Sequence, residues 1–289
     1  MEITRIEQRG QVTRVWVEYS GIGDELVLMA SSDRHHDSMW CNRSLETKHL
    51  QTAQERGAYI IDAGDMFDAM QGKFDPRKSY GDLRPEYRVP HYYDALVDDL
   101  SEYFIPYADR FIMIGKGNHE HSVYERIGTD LISRLVGNLR QSNKLLQVGG
   151  IGGYVQFMFK TVSGGGKFSV NYAYHHGGAG GNAPVTRGAI QTARQAVYMP
   201  DADIIHNGHN HQEYALAIKR VRLSNQGRIS YDLAHFVRTP GYKDDHGNEN
   251  WSDVKQHSPT PQGCAWITIR AEHHKSTARP HIMVTADVV

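Results

Sequence analysis

The feature that most limits how this chain can fold is a repeated pattern: a short apolar run ends in a cluster of Asp, Asn, His and Gly residues. Residues 26–30 form the first such run and lead into Ser31, Ser32 and Asp33. A short apolar run bounded by turn-forming residues predicts a buried strand. Because open α/β sheets gather their ligands beyond the carboxyl ends of their strands, the pattern predicts functional side chains collected at one edge of a sheet.

Segments with a helical spacing of apolar residues lie between these runs and predict helices over residues 44–56, 92–104, 123–139 and 189–197. Strands are predicted over residues 26–30, 58–62, 110–114, 154–159, 168–174, 203–206, 213–221, 229–236, 265–269 and 281–284. The polar, proline-containing residues 73–91 predict a long loop. We interpret the whole chain, residues 1–289, as a single α/β domain with two stacked mixed β-sheets flanked by helices.

Composition narrows the class of protein. Apolar residues make up 39% of the chain and charged residues 22%, which is typical of a globular protein. With 32 basic and 33 acidic residues the chain has no basic surplus for extended binding of nucleic acid. We expect no membrane association and no secretory signal, because no apolar run has the necessary length. Only Cys41 and Cys264 are present, so no disulfide framework is implied and a reducing, cytoplasmic compartment is expected.

The first three clusters offer oxygen and nitrogen ligands for a metal ion. Asp33 and His35 are two positions apart, so on an extended segment both could reach one ion. Asp65 follows Gly64 at a predicted strand end, although an ordinary Asp-Gly turn also explains it. In the third cluster Asn118 offers a neutral amide oxygen, and His119 can serve as an acid or a base near pH 7.

The last two clusters are rich in histidine. His175 and His176 leave a predicted strand side by side and should face opposite sides, so only one is expected to look into a shared site. His209 and His211 form a suitable metal-binding pair at another predicted strand end. Each cluster alone also fits a turn, a loop or a buried, hydrogen-bonded histidine.

Taken in order, the clusters read Asp-x-His, Gly-Asp-x-x-Asp, Gly-Asn-His-Glu, His-Gly and Gly-His-x-His, and this series resembles the calcineurin-like metallophosphoesterase superfamily. The matches run from Asp33 to His211, about three-fifths of the chain. The resemblance implies a four-layer αββα sandwich. It also implies two divalent metal ions, held by Asp33, His35, Asp65, Asn118, His176, His209 and His211.

Within this set the resemblance makes Asp65 the bridge between the ions. It makes His119 the catalytic histidine and Asp68 the carboxylate that orients it. Mixed carboxylate, amide and imidazole ligands suit Mn, Fe or Zn, and we favour Mn. His36 and Asp37 offer another register for the first motif and His175 for the fourth, while His206 could support the fifth; these four stay outside the metal set.

The expected activity is that of a metal-dependent phosphoric ester hydrolase that uses a metal-activated hydroxide. Basic and aromatic residues interleave over residues 73–93, and again from Arg238 to Lys243 with Tyr242, as in sites that bind phosphates and stack bases. An ordinary solvated loop explains the first stretch equally well. We favour a phosphodiesterase or nuclease acting on nucleotides or nucleic acid. The alternatives are a phosphomonoesterase, including a phosphoprotein phosphatase, and a non-catalytic scaffold; the oligomeric state is not predicted.

Overall fold

The computed structural model describes residues 1–71, 75, 83–177, 188–244, 246, 259–274 and 277–289. Its helices are α1 (Arg43–Glu55), α2 (Tyr92–Phe104), α3 (Asn118–Ile127), α4 (Leu131–Leu139) and α5 (Ala189–Tyr198). Its strands are β1 (Glu2–Arg9), β2 (Val12–Tyr19), β3 (Glu25–Ser31), β4 (Tyr59–Asp62), β5 (Phe111–Ile114), β6 (Gln147–Val148), β7 (Gly152–Thr161), β8 (Lys167–His175), β9 (Ile204–Asn207), β10 (Tyr214–Leu223), β11 (Ile229–Arg238), β12 (Gly263–His274) and β13 (Thr277–Val288).

The strands form two sheets. The seven-stranded sheet has the order β1-β2-β7-β8-β9-β11-β10, and the six-stranded sheet has the order β13-β12-β3-β4-β5-β6. Both are mixed, since β3, β4 and β5 run parallel while β12 pairs with β3 antiparallel, and β8 and β9 run parallel while β7 and β8 do not. Because parallel neighbours end at the same edge, the residues that follow β3, β4 and β5 emerge together.

Three apolar clusters define the layers. Side chains such as Leu28 and Phe157 fill the space between the two sheets. Leu50 and Leu100 belong to a second cluster, between the six-stranded sheet and helices α1, α2 and α4. A smaller cluster containing Phe236 lies under α5 on the other side. The prediction of two stacked mixed sheets in an αββα arrangement is confirmed, and no helix of the described residues is long and apolar enough to cross a bilayer.

Two sequence-based predictions of secondary structure were incomplete. Strands β1, β2 and β6 were not predicted, although every second residue of β2 is buried and such alternation is itself a strand signal; β6 has only two residues. The single helix expected over residues 123–139 is two helices. The first begins earlier, at Asn118, and ends at Ile127, because the next residue, Gly128, has a left-handed φ of 76°. Asp130 then caps α4 by accepting the Ser133 N–H at 3.0 Å.

A fully buried arginine joins the loops that carry the site. Arg34 donates from Nε to Asp62 Oδ2 at 2.7 Å and from Nη1 to Glu46 Oε1 at 3.0 Å. Its third bond, from Nη2 to Ser31 Oγ, is 2.9 Å long. Burial alone would lower the pKa of Arg34, but Asp62 and the neighbouring groups raise it above its ordinary value. Asp62 also accepts the Gly64 N–H at 3.0 Å, so one ion-pair network ties β3, β4 and α1 together.

We expect Arg34→Ala to lower the free energy of unfolding by about 3–5 kcal/mol, because it leaves two carboxylates buried without their cation. Arg270→Ala is the control: Arg270 pairs with Glu25 at a surface where their side chains are 40% and 36% exposed, and its loss should cost less than about 1 kcal/mol. Denaturant unfolding measures both. Similar small losses would contradict the structural role given to Arg34.

Candidate metal centre

The backbone is unusual at the loops that follow the strands. Six non-glycine residues of the described chain have positive φ, and all but Ala69 are ligand candidates from the sequence: Asp33 (52°), His35 (44°), Asp65 (55°), His209 (72°) and His211 (51°). The left-handed region costs an L-residue about 1–2 kcal/mol. Such strain persists only where the surrounding structure enforces it, and it collects at functional sites.

Asp65 lies at the centre of the cluster. Its Oδ2 is 3.0 Å from His176 Nε2 and 3.9 Å from both His35 Nε2 and His119 Nε2. Its other oxygen, Oδ1, accepts the His119 main-chain N–H at 2.9 Å. One carboxylate oxygen therefore faces imidazoles from three separate loops.

Asp33, His35 and His211 form the first group around this centre. The Nε2 atoms of His35 and His211 face each other at 3.3 Å, and His211 Nε2 is 3.5 Å from Asp33 Oδ1. Asp33 Oδ1 is fully buried and accepts no hydrogen bond from the described residues. A buried carboxylate oxygen without a donor is costly, so this arrangement fits a cation.

Asp65, His176 and His209 form the second group, with ligand atoms within 4.8 Å of one another. Asn118, the first residue of α3, adds its Oδ1 at 3.0 Å from His176 Nε2. His176 donates from Nδ1 to the carbonyl oxygen of Ala63 at 3.2 Å. This bond leaves Nε2 as the ligand atom, the usual arrangement for a metal-binding imidazole.

The electrostatics favour positive charge. Burial would raise the pKa of Asp33 and Asp65, but nearby imidazoles, above all His176, hold both below their usual range. Burial would lower the pKa of His176, but Asp65 and Asp33 raise it to about 10. In the metal-free protein a proton on His176 therefore balances the carboxylates, and a bound ion would displace it. Buried carboxylates, an amide and imidazoles fit Mn, Fe or Zn.

His119 occupies the second position of α3, with its side chain 13% exposed at the mouth of the cluster. Its Nδ1 donates to the main-chain carbonyl of Asp68 at 2.5 Å, while the Asp68 carboxylate lies 3.9 Å away. That carboxylate is closer to His35 Nδ1 at 3.1 Å and to Lys243 Nζ at 3.0 Å. Asp68 thus contacts His119 through its backbone and His35 through its side chain, whereas the family resemblance implied a carboxylate contact to His119.

The residues that offered alternative registers have other partners. His36 donates from Nδ1 to Glu46 Oε2 at 2.7 Å on the α1 side of the loop. Asp37 accepts the main-chain N–H groups of Asp68 at 2.6 Å and of Ala69 at 3.0 Å. His175 Nδ1 accepts the Gly177 N–H at 3.1 Å, so of the adjacent pair it is His176 that faces the cluster.

Glu120 was not given a role from the sequence, yet it shapes the site. Its buried carboxylate accepts main-chain N–H groups from Gly117 at 2.9 Å, Phe67 at 3.0 Å and Asp65 at 3.2 Å. Burial and the charge of Asp65 raise its pKa to about 8. An acidic residue at the third position of a helix is a capping signal, and the order Gly-Asn-His-Glu could have revealed it.

The basic and aromatic stretch is only partly described, since residues 72–74 and 76–82 lie outside the described residues. Of the remainder, Tyr87 is buried and receives a hydrogen bond from Arg43 at 2.5 Å. Arg84 donates to the Ser38 carbonyl at 2.9 Å. Tyr242 is also buried, with its hydroxyl 3.1 Å from His49 Nδ1. These side chains stabilise the fold, and the two tyrosines offer no exposed ring on which a base could stack.

No protein-family model matches the chain, and no curated protein matches it. Among solved structures it is similar to vacuolar protein sorting 29 from Cryptosporidium parvum, with 12% identity, a TM-score of 0.38 and coverage of 92% of this chain and 100% of that one. It is also similar to a predicted phosphoesterase from Streptococcus pneumoniae TIGR4, with 10% identity, a TM-score of 0.32 and coverage of 90% and 99%. At such low identities and TM-scores, neither structure indicates what the site does, so its chemistry is inferred from its own side chains.

We expect Gly117→Ala to abolish divalent ion binding, because a Cβ at this position would lie 1.9 Å from Asp65 Oδ1. Gly137→Ala in α4 is the control: nothing lies within 4 Å of its Cβ, and replacing a helical glycine should stabilise the protein by about 0.5–1 kcal/mol. Calorimetric titration with Mn²⁺ and circular dichroism separate ion binding from folding. Normal binding by folded Gly117→Ala would show that Asp65 is not held where the structure has it.

Proposed function

We propose that this protein is a metal-dependent phosphoric ester hydrolase with two divalent ions, of the calcineurin-like metallophosphoesterase type. The observation that carries the proposal is the position of Asp65 Oδ2, which faces His176, His35 and His119 between two groups of ligand atoms. The loops that carry these residues also follow one another along the chain in the same order as the motifs of the family resemblance. If these strained, buried polar residues had only a structural role, their side chains would not need to converge on Asp65.

In this proposal Asp33, His35 and His211 would hold one ion, Asn118, His176 and His209 would hold the other, and Asp65 would serve both. When bound, the two ions lower the pKa of a water molecule and neutralise charge on the phosphate oxygens. Mn is the ion we favour, since hard oxygen and borderline nitrogen ligands are mixed in both groups.

The protein's own residues supply the remaining steps. Because His119 Nδ1 donates to the Asp68 carbonyl, its Nε2 is the atom that faces the cluster. In the protonated state Nε2 donates a hydrogen bond to the phosphate or gives its proton to the departing alkoxide. Asp68 holds this ring through its carbonyl oxygen and holds His35 through its carboxylate.

The finer proposal is a phosphodiesterase or nuclease that acts on nucleotides or nucleic acid. Lys243 beside Asp68 and Arg238 at the carboxyl end of β11 place positive charge near the cluster, which favours a phosphate ester without separating diesters from monoesters. The net charge of −1 favours a short substrate over extended nucleic acid. Phosphomonoesterase activity and a non-catalytic scaffold stay as the alternatives.

The first test loads metal-free protein with Mn²⁺. We expect two ions per chain, because the shared carboxylate pairs two ligand groups. If the finer proposal is correct, a bis-aryl phosphate should be hydrolysed in preference to the mono-aryl phosphate. Metal analysis and an absorbance assay measure these, with single-stranded and duplex DNA as further substrates. One ion or none would contradict the two-ion centre. Faster monoester hydrolysis would indicate a phosphomonoesterase, and two ions without hydrolysis of any substrate would indicate a scaffold.

His119→Ala should retain both ions and lower turnover by about 10²–10⁴-fold, the usual size of general acid–base catalysis. The matched control is His121→Ala: this histidine lies on the same helix, pairs with Glu125 and has a side chain that is 41% exposed. Metal content and turnover are measured for both variants. Loss of an ion from His119→Ala would make His119 a ligand, and unchanged turnover would remove it from the reaction.

A further inference from the structure

An unbroken series of hydrogen bonds runs from the space between the sheets to a ligand candidate. Tyr172 Oη is 2.8 Å from His206 Nδ1, and His206 Nε2 is 2.9 Å from Thr239 Oγ1. Thr239 Oγ1 is 2.7 Å from Ser32 Oγ, which donates to Asp33 Oδ2. All five side chains belong to residues that are fully buried. We call these five residues the Asp33 relay.

The hydrogen positions in the Asp33 relay follow from donor counting. The charged Asp33 carboxylate can only accept hydrogen bonds, so the Ser32 hydroxyl donates its one hydrogen to it. Ser32 must then accept from the Thr239 hydroxyl, and Thr239 must accept from the Nε2–H of His206. A neutral His206 with its proton on Nε2 has an accepting Nδ1, which the Tyr172 hydroxyl satisfies. One arrangement therefore satisfies every member, and all its donors point toward Asp33.

His206 holds this arrangement in place. It lies in β9, with Tyr174 of β8 and Val237 of β11 as its strand neighbours. Burial lowers its pKa to about 3, which keeps the ring neutral and preserves its one donor and one acceptor. An apolar side chain would be less costly at such a position, since every buried polar atom needs a partner. The hydrogen bonds to Tyr172 and Thr239 therefore explain why a histidine, and not an apolar residue, lies at position 206.

The hydrogen bonds at the Asp33 end of the relay involve only one of its two carboxylate oxygens. Oδ2 receives the Ser32 hydroxyl and the His209 main-chain N–H at 2.8 Å. Oδ1 accepts no hydrogen bond from the described residues and faces His211 Nε2 at 3.5 Å and His176 Nε2 at 3.8 Å. The close fit requires Gly208, where a Cβ would lie 2.3 Å from Ser32 Oγ and 2.4 Å from Asp33 Oδ2.

We propose that His206 is a positioning residue that acts through Thr239 and Ser32 to fix the Asp33 carboxylate, so that Oδ1 is presented to a divalent ion. The proposal rests on the two-ion site of the proposed function. It assigns roles to Ser32, His206 and Thr239 beyond those of the ligands and of His119. Partners of ligating residues tune metal affinity, and their loss typically weakens it by about 10–100-fold.

The test is Thr239→Val, which keeps the shape of the side chain and removes the one hydroxyl between His206 and Ser32. Mn²⁺ is titrated into the metal-free 289-residue chain by calorimetry, and unfolding in denaturant is followed separately. We expect the affinity of the ion site that contains Asp33 to fall about 10–100-fold, with the other site and the two-ion count unchanged. Thr239→Ser should restore the affinity, because it restores the hydroxyl.

Tyr172→Phe and Tyr242→Phe provide the matched comparison. Each removes a buried tyrosine hydroxyl that bonds a histidine ring, but the Tyr242 hydroxyl bonds His49 and is not part of the Asp33 relay. Both should lower stability, while only Tyr172→Phe should weaken the site with Asp33, and by less than Thr239→Val. A histidine with a purely structural role would give equal results for the two tyrosines.

Each other outcome is decisive. Wild-type affinity at both sites in Thr239→Val would overturn the positioning role, and so would equal weakening of both sites together with lost stability. Wild-type protein that takes up no Mn²⁺ would remove the metal centre, and the proposed function and the relay would fall together. Wild-type protein that binds two ions but hydrolyses no phosphate ester would remove the proposed function alone, because the affinity comparison would still stand.

Discussion

The rest of this structure depends on how the chain keeps Asp33 and Asp65 ionised in the protein interior. Both are almost completely buried, and the charge of Asp65 acts to raise the pKa of Asp33, since like charges repel strongly in a medium of low dielectric constant. Imidazoles and main-chain N–H groups supply the compensation: His176 contacts both carboxylates, while the His209 and His119 N–H groups donate to Asp33 and Asp65. The sheet topology makes this arrangement possible, because the loops that carry these residues meet where the strands end.

Other buried polar groups hydrogen-bond to the ligand candidates and to the loops that carry them. Arg34 ties the loop after β3 to Asp62 and Glu46, Glu120 gathers three N–H groups from two loops, and His206 reaches Asp33 through two hydroxyls. Each of these groups would be costly to bury alone and is satisfied by its partners. The three networks approach the ligands from different sides, so together they restrict each loop more than any one of them could.

Most of the strands could be predicted from the sequence because apolar runs are local patterns, and the family resemblance supplied the ligand set as an expectation. The alternation of side chains along β8 predicts that only one of His175 and His176 faces the site, and the resemblance selected His176. The supporting networks could not be predicted in this way. Ser32 and Thr239 are 207 positions apart, and nothing near either residue indicates the other. The break between α3 and α4 was local and still missed, since Gly128 interrupts an apolar spacing that continues on both sides.

The left-handed residues show why the supporting networks are needed. Five ligand candidates adopt a backbone conformation that costs an L-residue about 1–2 kcal/mol each, a total comparable with the whole stability of many domains. Glycine at these positions would relieve the strain but would remove the ligand side chains. The cost must therefore be offset elsewhere, and the ion-pair, capping and hydroxyl networks contact these same loops.

In the metal-free protein a proton on His176 supplies part of the missing positive charge. A bound ion would supply more, and its binding free energy would add to the stability of the folded state. The surrounding networks, and any ion that binds, therefore offset the cost of holding five L-residues in a strained backbone conformation.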